Sequence, residues 1–259
     1  MHASARIVAE PDGRGGTRLV ERYGEPPLLA RRTGPGEVHL VGGAAGPLGG
    51  DDLTVRIEVR AGARLVVRTV AATLAQPGAS GARSRTRISA RVAAGASLEW
   101  LPEPIVAVAG CHHTVESIVE LEAGARVIWR EELVGGRHDE ECGDLRLFTS
   151  ATLAGSPLLR QELTVGPSAP GWAGPAVLGG ARTAGSVLVV VPDCPAGPAI
   201  VARMDGAYAA RLPLAIPRPP AVTSTTAVLV TATADDARRL RAALLALTPP
   251  GRVSVEAPF

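Results

Sequence analysis

The sequence contains no lysine and no asparagine, so all 27 of its positively charged residues are arginine. A phosphate-binding loop of the Walker A type requires a lysine that reaches the β- and γ-phosphates, and a Schiff-base enzyme requires a lysine amine. Both kinds of chemistry are therefore excluded for this chain. If the protein takes part in nucleotide hydrolysis, a partner must carry out that reaction.

Cysteine is scarce, and long apolar runs are absent. Cys111, Cys142 and Cys194 are odd in number and widely spaced, so they indicate no disulfide framework. The first ten residues lack the apolar segment of a signal peptide. The apolar stretch around residues 184–191 is too short to cross a bilayer. These features predict a cytoplasmic protein with no membrane span.

Charge of one sign is also not concentrated anywhere in the chain. The formal net charge is +2, and acidic and basic residues are interleaved. In the densest basic cluster, RSRTR, a strand would place Arg83, Arg85 and Arg87 on one side. This spacing favours a solvated strand face, and we expect no nucleic-acid partner.

The chain does contain a short internal repeat, in which Ala-Gly-Ala is flanked by apolar residues. It occurs as VRAGARL at 59–65, VAAGASL at 92–98 and LEAGARV at 121–127. Glycine between two alternating segments is typical of a tight turn, because glycine readily adopts a positive φ. We expect such turns at Gly62, Gly95 and Gly124.

The segments that flank these turns alternate with a period of two, as strands do. In LTVRIEVR, Leu53, Val55, Ile57 and Val59 share one face. The turns recur about every thirty residues. The sequence therefore predicts a mainly β fold, with many antiparallel strands in stacked layers that resemble a β-helix or a sandwich. We expect one domain over residues 1–259.

A helix is predicted near the C-terminus, over residues 235–247. Acidic residues begin this segment, Leu240, Leu244 and Leu247 share one face, and prolines follow it. The Gly- and Pro-rich segment 166–182 is interpreted as a long connection that could contain a second short helix. The fold is thus expected to have one or two short helices.

Common catalytic signatures are missing, but Cys111, His112 and His113 are consecutive. A strand would place Cys111 and His113 on one side and His112 on the other. Segment 135–144 supplies His138 and Cys142, and these thiol and imidazole groups suit zinc or nickel. We predict a weak, transient metal site. Ordinary strand or partner-facing residues, or a cysteine nucleophile with a histidine base, are alternatives.

Four segments, in this order, resemble those of the UreD (UreH) family of urease accessory proteins. They are AGPLGGDDL at 45–53, RTVAAT at 68–73, GASLEWLPEPIV at 95–106 and GARVIWREELVGGR at 124–137. The shared order covers roughly residues 37–165, and Leu-Glu-Trp-Leu-Pro is its most specific part. The chain departs from the family pattern at Ala45, where a glycine is usual, and at Leu74, where a lysine is common. HDEECGD, at 138–144, also differs from the usual Gly-Glu pair.

The resemblance implies a non-catalytic scaffold that helps to deliver nickel to urease. Its implied partners are a helical, UreF-like accessory protein, a nickel-carrying, UreG-like GTPase that binds through that protein, and the urease apoprotein. No cofactor would be bound permanently, and nickel would bind only transiently. Two other functions stay open: a metal-dependent hydrolase that uses Cys111, His113, His138 and Cys142, and a non-catalytic β binding module.

Two carboxylates are further candidates for a passage or an interface. Asp51 follows two glycines, where a turn hydrogen bond is the ordinary role. Glu99 lies between Leu98 and Trp100, so on a strand it faces away from both. If that face is interior, the Glu99 carboxylate lines a polar passage; if it is exterior, it is a solvated charge.

Overall fold

Two β-sheets, stacked face to face, contain most of the chain. The computed structural model describes residues 1–79, 81–192, 196–216 and 225–249. One sheet has seven strands and the other has eleven. In chain order the elements are β1 (His2–Pro11), β2 (Thr17–Gly24), β3 (Leu28–Gly34), β4 (Glu37–Gly42), β5 (Asp52–Val59), β6 (Arg64–Thr69), β7 (Thr73–Ala75), β8 (Ser84–Val92), β9 (Ser97–Leu101), β10 (Ile105–Ala107), β11 (His112–Leu121), β12 (Arg126–Gly135), β13 (Asp144–Leu153), β14 (Ser156–Val165), β15 (Thr183–Pro192), β16 (Ile200–Met204), β17 (Ala207–Pro213), β18 (Thr225–Ala234) and α1 (Ala237–Leu247).

The predicted mainly β fold with stacked layers and a C-terminal helix is confirmed. The predicted antiparallel pairing holds only for the outer strands, such as β13 with β14 and β15 with β18. In the centre, β5, β8, β11 and β13 pair in parallel in one sheet, and β4, β6, β9 and β12 pair in parallel in the other. The reason is that each repeat turn carries the chain from one sheet to the other instead of joining hydrogen-bonded neighbours.

The Ala-Gly-Ala turns form a stacked corner of this coil. Gly62, Gly95 and Gly124 have φ values of +76°, +68° and +77°, as their glycine identity predicted. The alanine after each glycine is fully buried. The Ser97 amide donates to the Ala63 carbonyl at 2.9 Å, which joins successive corners. Successive corners therefore stack on one another with the same register as the parallel strands that they connect.

The main core lies between the sheets and is built from the alternating residues. Leu53, Val55, Ile57 and Val59 are all buried, as the period of two predicted. Arg83, Arg85 and Arg87 are exposed, which confirms the solvated face. In the centre of the core, the Trp100 and Trp129 rings stack with their centroids 5.2 Å apart.

A second apolar layer covers the outer face of the eleven-stranded sheet. Helix α1 buries Leu240, Ala243 and Leu244 against strands β15, β17 and β18. The helix starts at Ala237 because Asp236 acts as its N-cap and accepts the Arg239 amide at 2.8 Å. Segment 166–182 contains turns, and α1 is the only helix in the parts of the chain that the structure describes. No helix of those parts has the length and apolar character needed to cross a membrane.

Candidate functional site

The Cys111–His113 stretch lies where the chain enters β11. Cys111 is fully buried, and burial raises the pKa of its thiol to about 12. His112 lies on the other side of the strand, where its Nδ1 is 2.9 Å from Asp144 Oδ2. The predicted alternation of these side chains is therefore confirmed. Cys111 is a protonated thiol at neutral pH, which makes it a poor nucleophile.

His113 is a core residue with both ring nitrogens close to hydroxyl groups. Its Nδ1 is 2.8 Å from Ser84 Oγ, and its Nε2 is 3.3 Å from Thr86 Oγ1. Burial lowers the pKa of His113 to about 4. The ring is therefore neutral under ordinary conditions, and its nitrogens are engaged within the protein.

The second predicted segment is divided between the core and the surface. Cys142 is buried and donates from Sγ to the Gly143 carbonyl at 3.2 Å, and burial raises its pKa to about 11. A Cβ atom placed on Gly143 would lie 2.7 Å from Cys111 Sγ, so the two thiols flank this glycine. His138 is almost fully exposed and lies 3.2 Å from the Asp139 carboxylate.

These residues do not form a ready ligand set. Among the described residues, no group of three or more His, Cys, Asp or Glu side chains is arranged to hold a metal ion. Cys111 and Cys142 are close enough to interact electrostatically, whereas His112 lies against Asp144 and His138 against Asp139. A metal contact here would have to use one or two ligands at a time.

Asp51 organises the loop before β5. It is buried, its Oδ2 accepts the Leu48 amide at 2.8 Å, and its Oδ1 is 2.8 Å from the Met1 amino group. The predicted turn hydrogen bond is thus present.

Glu99 faces away from the core, on the outer side of β9 opposite the buried Leu98 and Trp100. It is half-buried there, beside Ile128 and Val66 on the neighbouring strands. Glu99 therefore lies on the outer face and does not line a passage between the sheets, but its Oε2 is buried by the second apolar layer, so it is not a freely solvated charge either.

The eleven-stranded sheet has a gap at its centre, which we call the window. Strand β12 pairs with β9 over residues 126–129 and with β10 over residues 133–135. Between these pairings, residues 102–104 leave the sheet, and residues 70–72 do the same between β6 and β7. Residues 130–132 of β12 consequently have no strand partner on this side within the described chain.

Behind the window lies a cavity of about 360 Å³ between the two sheets, which we call the central cavity. Its walls are mostly apolar, and three carboxylates line the part nearest the window. The lining includes Val55, Ile88, Val115, Trp100, Glu103, Glu131 and Glu132.

Glu131 is the carboxylate that points inward from the window. It accepts hydrogen bonds from Ser117 Oγ at 2.6 Å and Trp129 Nε1 at 3.2 Å, and also from Thr149 Oγ1. It also lines a second cavity of about 360 Å³, which lies towards β14, β17 and β18 and which we call the side cavity. Glu131 therefore lines both cavities.

Glu103, Glu131 and Glu132 were not identified from the sequence. A signal exists, because strand alternation in VIWREEL puts Glu131 on the face of Trp129, where an apolar residue is expected. Glu103 carries no such signal, since it lies between Pro102 and Pro104, outside any strand.

The chain is similar over nearly its whole length to one group of proteins. The family model described as UreD urease accessory protein matches residues 1–254. A urease accessory protein UreD of Streptomyces avermitilis is 45% identical, covering 94% of this chain and 95% of the relative. A UreD of Streptomyces coelicolor is 46% identical over 93% of each chain. A UreD of a Parafrankia species is 43% identical over 93% of this chain and 86% of the relative.

Proposed function

We propose, for a chain that belongs to the UreD family of urease accessory proteins, a non-catalytic scaffold through which nickel reaches the urease apoprotein. Membership of this family gives the chain a role in urease maturation. The observation that carries this proposal is the connected arrangement of window, central cavity and Glu131. This arrangement would give an ion a route through the protein interior, with carboxylates where the ion would enter.

The size of the central cavity suits a partly hydrated ion. A volume of about 360 Å³ is roughly that of ten water molecules. An ion could therefore keep much of its hydration shell inside. Apolar walls bind it weakly, and weak binding is what a transfer route requires.

The chemistry of Glu131 suits brief contact with a cation. A carboxylate in a site of reduced dielectric attracts a divalent cation more strongly than it would in water. Glu131 is already held by hydroxyl and indole donors from Ser117, Thr149 and Trp129. A single carboxylate cannot complete a nickel shell, so the ion is held only for a short time.

The predicted thiol and imidazole donors form a secondary part of the proposal. His112 and His138 are the accessible members, and Cys111 and Cys142 are buried. Any nickel contact at this end of the molecule would start from the two histidines. A hydrolase is not proposed, because the described residues bring no three ligands together.

The side of the molecule formed by β14, β16 and β17 suits a protein partner. β14 and β16 are the end strands of the two sheets and lie on the same side. Val201 and Tyr208 are 84% and 57% exposed there, which is typical of a protein interface. We propose that the helical, UreF-like accessory protein covers this side and carries the UreG-like GTPase.

The free thiols of Cys111 and Cys142 suit a reducing compartment, and we propose the cytoplasm.

The experiment that tests this function uses a urease operon expressed with and without the chain, in nickel-supplemented cells. Urease is purified and its nickel per active site is counted. We expect nickel to fall to background without the chain and to return with it. Unchanged nickel would contradict the proposed function.

A further inference from the structure

The outer side of the window is spanned by a side chain from the C-terminal helix. The Arg241 guanidinium donates from Nη1 to Glu103, at 3.1 and 3.0 Å to its two carboxylate oxygens. It also donates to Glu132, from Nε at 3.2 Å and from Nη2. Glu103 borders the window on the side of residues 102–104, and Glu132 borders it on β12. A guanidinium bonded to both carboxylates therefore lies across the window.

We propose that Arg241 is a positioning residue that holds the window closed to cations, so that opening the route requires Arg241 to release Glu103 and Glu132. The inference deepens the proposed function, because it assigns a regulatory element to the same route.

The border formed by residues 102–104 has one backbone hydrogen bond, from the Thr73 amide to the Pro104 carbonyl at 3.0 Å, and its other attachments involve side chains. The Glu103 amide donates to Thr69 Oγ1 at 2.8 Å, and Arg130 Nη2 donates to the Pro102 carbonyl at 2.8 Å. No β-ladder joins this segment to β12 in the described structure. Its attachment thus depends on a few polar contacts, of which two sets cross the window: those of Arg130, from β12, and the ion pair with Arg241, from helix α1.

The helix that carries Arg241 is well placed to hold it. Leu240 directly precedes Arg241, and Leu244 follows it by about one helical turn. Both leucines are fully buried against the sheet. Arg241 itself is only about one-fifth exposed, and the Glu132 side chain is completely buried. The position of the guanidinium is therefore fixed by helix packing and not by the ion pairs alone.

On the outer face of the window, away from the inward-pointing Glu131, the charges balance only while Arg241 is in place. Glu103 and Glu132 face Arg130 and Arg241, and Arg130 lies 3.8 Å from each carboxylate. Removal of the Arg241 charge leaves the window with a net negative charge. Because a negatively charged opening concentrates cations, the loss should admit cations in preference to neutral or anionic molecules.

Collisional quenching of tryptophan fluorescence tests this inference. Trp100 lines the central cavity and stacks on Trp129, so a Trp172→Phe background leaves emission from this pair alone. We compare quenching by caesium ion, acrylamide and iodide in the full-length Trp172→Phe protein and in the same protein with the added Arg241→Gln substitution. We expect the caesium quenching constant to rise about threefold, with a smaller rise for acrylamide and none for iodide.

Arg238→Gln is the matched control, because Arg238 is exposed on the same helix, and its quenching should equal that of the background protein. Unchanged caesium quenching in Arg241→Gln would overturn the inference. An equal rise for all three quenchers would overturn it too, since it would show general loosening of the core.

If Arg241→Gln does not fold, Glu103→Gln weakens the same bridge from its more exposed side. It should raise acrylamide and iodide quenching more than caesium quenching, because the border loosens while the outer face of the window gains a positive charge that repels caesium. No change in acrylamide or iodide quenching would contradict the inference. These measurements need no nickel and no urease, so their failure is distinguishable from failure of the proposed function.

Discussion

Glu131 and Glu132 are consecutive in the chain, yet their carboxylates lie on opposite faces of the eleven-stranded sheet. Glu131 accepts hydrogen bonds from Ser117 and Thr149 of the seven-stranded sheet, and Glu132 pairs with Arg241 of helix α1. Strand alternation separates them, so one dipeptide contributes an inner and an outer carboxylate to the same window. The two residues should therefore respond differently to substitution.

Glu131→Gln should reduce nickel delivery without unfolding the protein. The amide keeps the size of the side chain and can still accept from Trp129, but it loses the charge that attracts a cation. We expect nickel per active site of co-expressed urease to fall several-fold, at an unchanged level of the chain. Glu120→Gln is the control, because Glu120 pairs with Arg91 on the exposed face of β11 and lines neither the central cavity nor the side cavity. Equal nickel with the two variants would contradict a role for Glu131 in the route.

Glu132→Gln should mainly reduce stability. The Glu132 carboxylate is completely buried and neutralises Arg241, and breaking a buried ion pair from one side costs about 3 kcal/mol. Urea unfolding measures the loss. A double-mutant cycle with Arg241→Gln should show coupling, since the second substitution removes the charge left unpaired by the first. Additive effects would mean that the pair contributes little. Glu120→Gln, on the exposed face, should change stability very little.

The stability of the chain should fall as pH decreases between the two pKa values of His113. Burial lowers the pKa of folded His113 to about 4, from its ordinary value of 6.5. Between these values the unfolded state binds a proton and the folded state does not, so stability is lost as pH falls through this range. The contribution is on the order of 3 kcal/mol. His113→Gln should flatten this part of the pH profile in urea unfolding, whereas His138→Gln, at the surface, should leave it intact.

The two buried thiols should react slowly with alkylating reagents in the folded protein. Burial raises the pKa of Cys111 to about 12 and that of Cys142 to about 11, and only the thiolate reacts. In a Cys194→Ser background, iodoacetamide labelling at pH 8 followed by mass spectrometry should show little modification until urea unfolds the chain. Rapid labelling of the folded protein would show that this end of the core opens readily. It would also support access of nickel to these sulfur atoms.

Gly95→Ala should cost about 1 kcal/mol, through backbone strain alone. Gly95 has a φ of +68°, and a Cβ atom there would meet nothing within 4 Å. Gly42 offers a matched control, because its Cβ position is equally open and its φ is not in the left-handed region. Gly42→Ala should therefore be neutral or slightly stabilising. If both substitutions have the same effect in thermal unfolding, the positive φ is not what the repeat glycine provides.

The parts of the fold that depend on local pattern could be predicted from the sequence. The period of two in LTVRIEVR, the repeat glycines and the C-terminal helix all follow from neighbouring residues, and all are confirmed. The pairing direction does not follow, because a turn such as that at Gly95 looks the same locally whether it joins paired strands or two sheets. Parallel pairing of β5 with β8 depends on contacts about thirty residues apart.

The candidate site was predicted only in part, because it depends on where strands are interrupted. Cys111 and His113 stand out by residue type, but their side chains are used in the core. Pro102 and Pro104 mark a break in one strand, yet nothing in the sequence indicates that it aligns with the break after Thr69. The window exists only because the two interruptions lie side by side.

The bridge from Glu103 to Arg241 joins residues 138 positions apart in the chain, which has a consequence for the order of synthesis. The strands that form the window end at residue 135, and synthesis proceeds from the N-terminus to the C-terminus at about 5–20 residues per second. The residues that form the window therefore leave the ribosome well before Arg241, which closes the window. The bridge that closes the window is therefore among the last contacts of the sheet that a newly made chain can form.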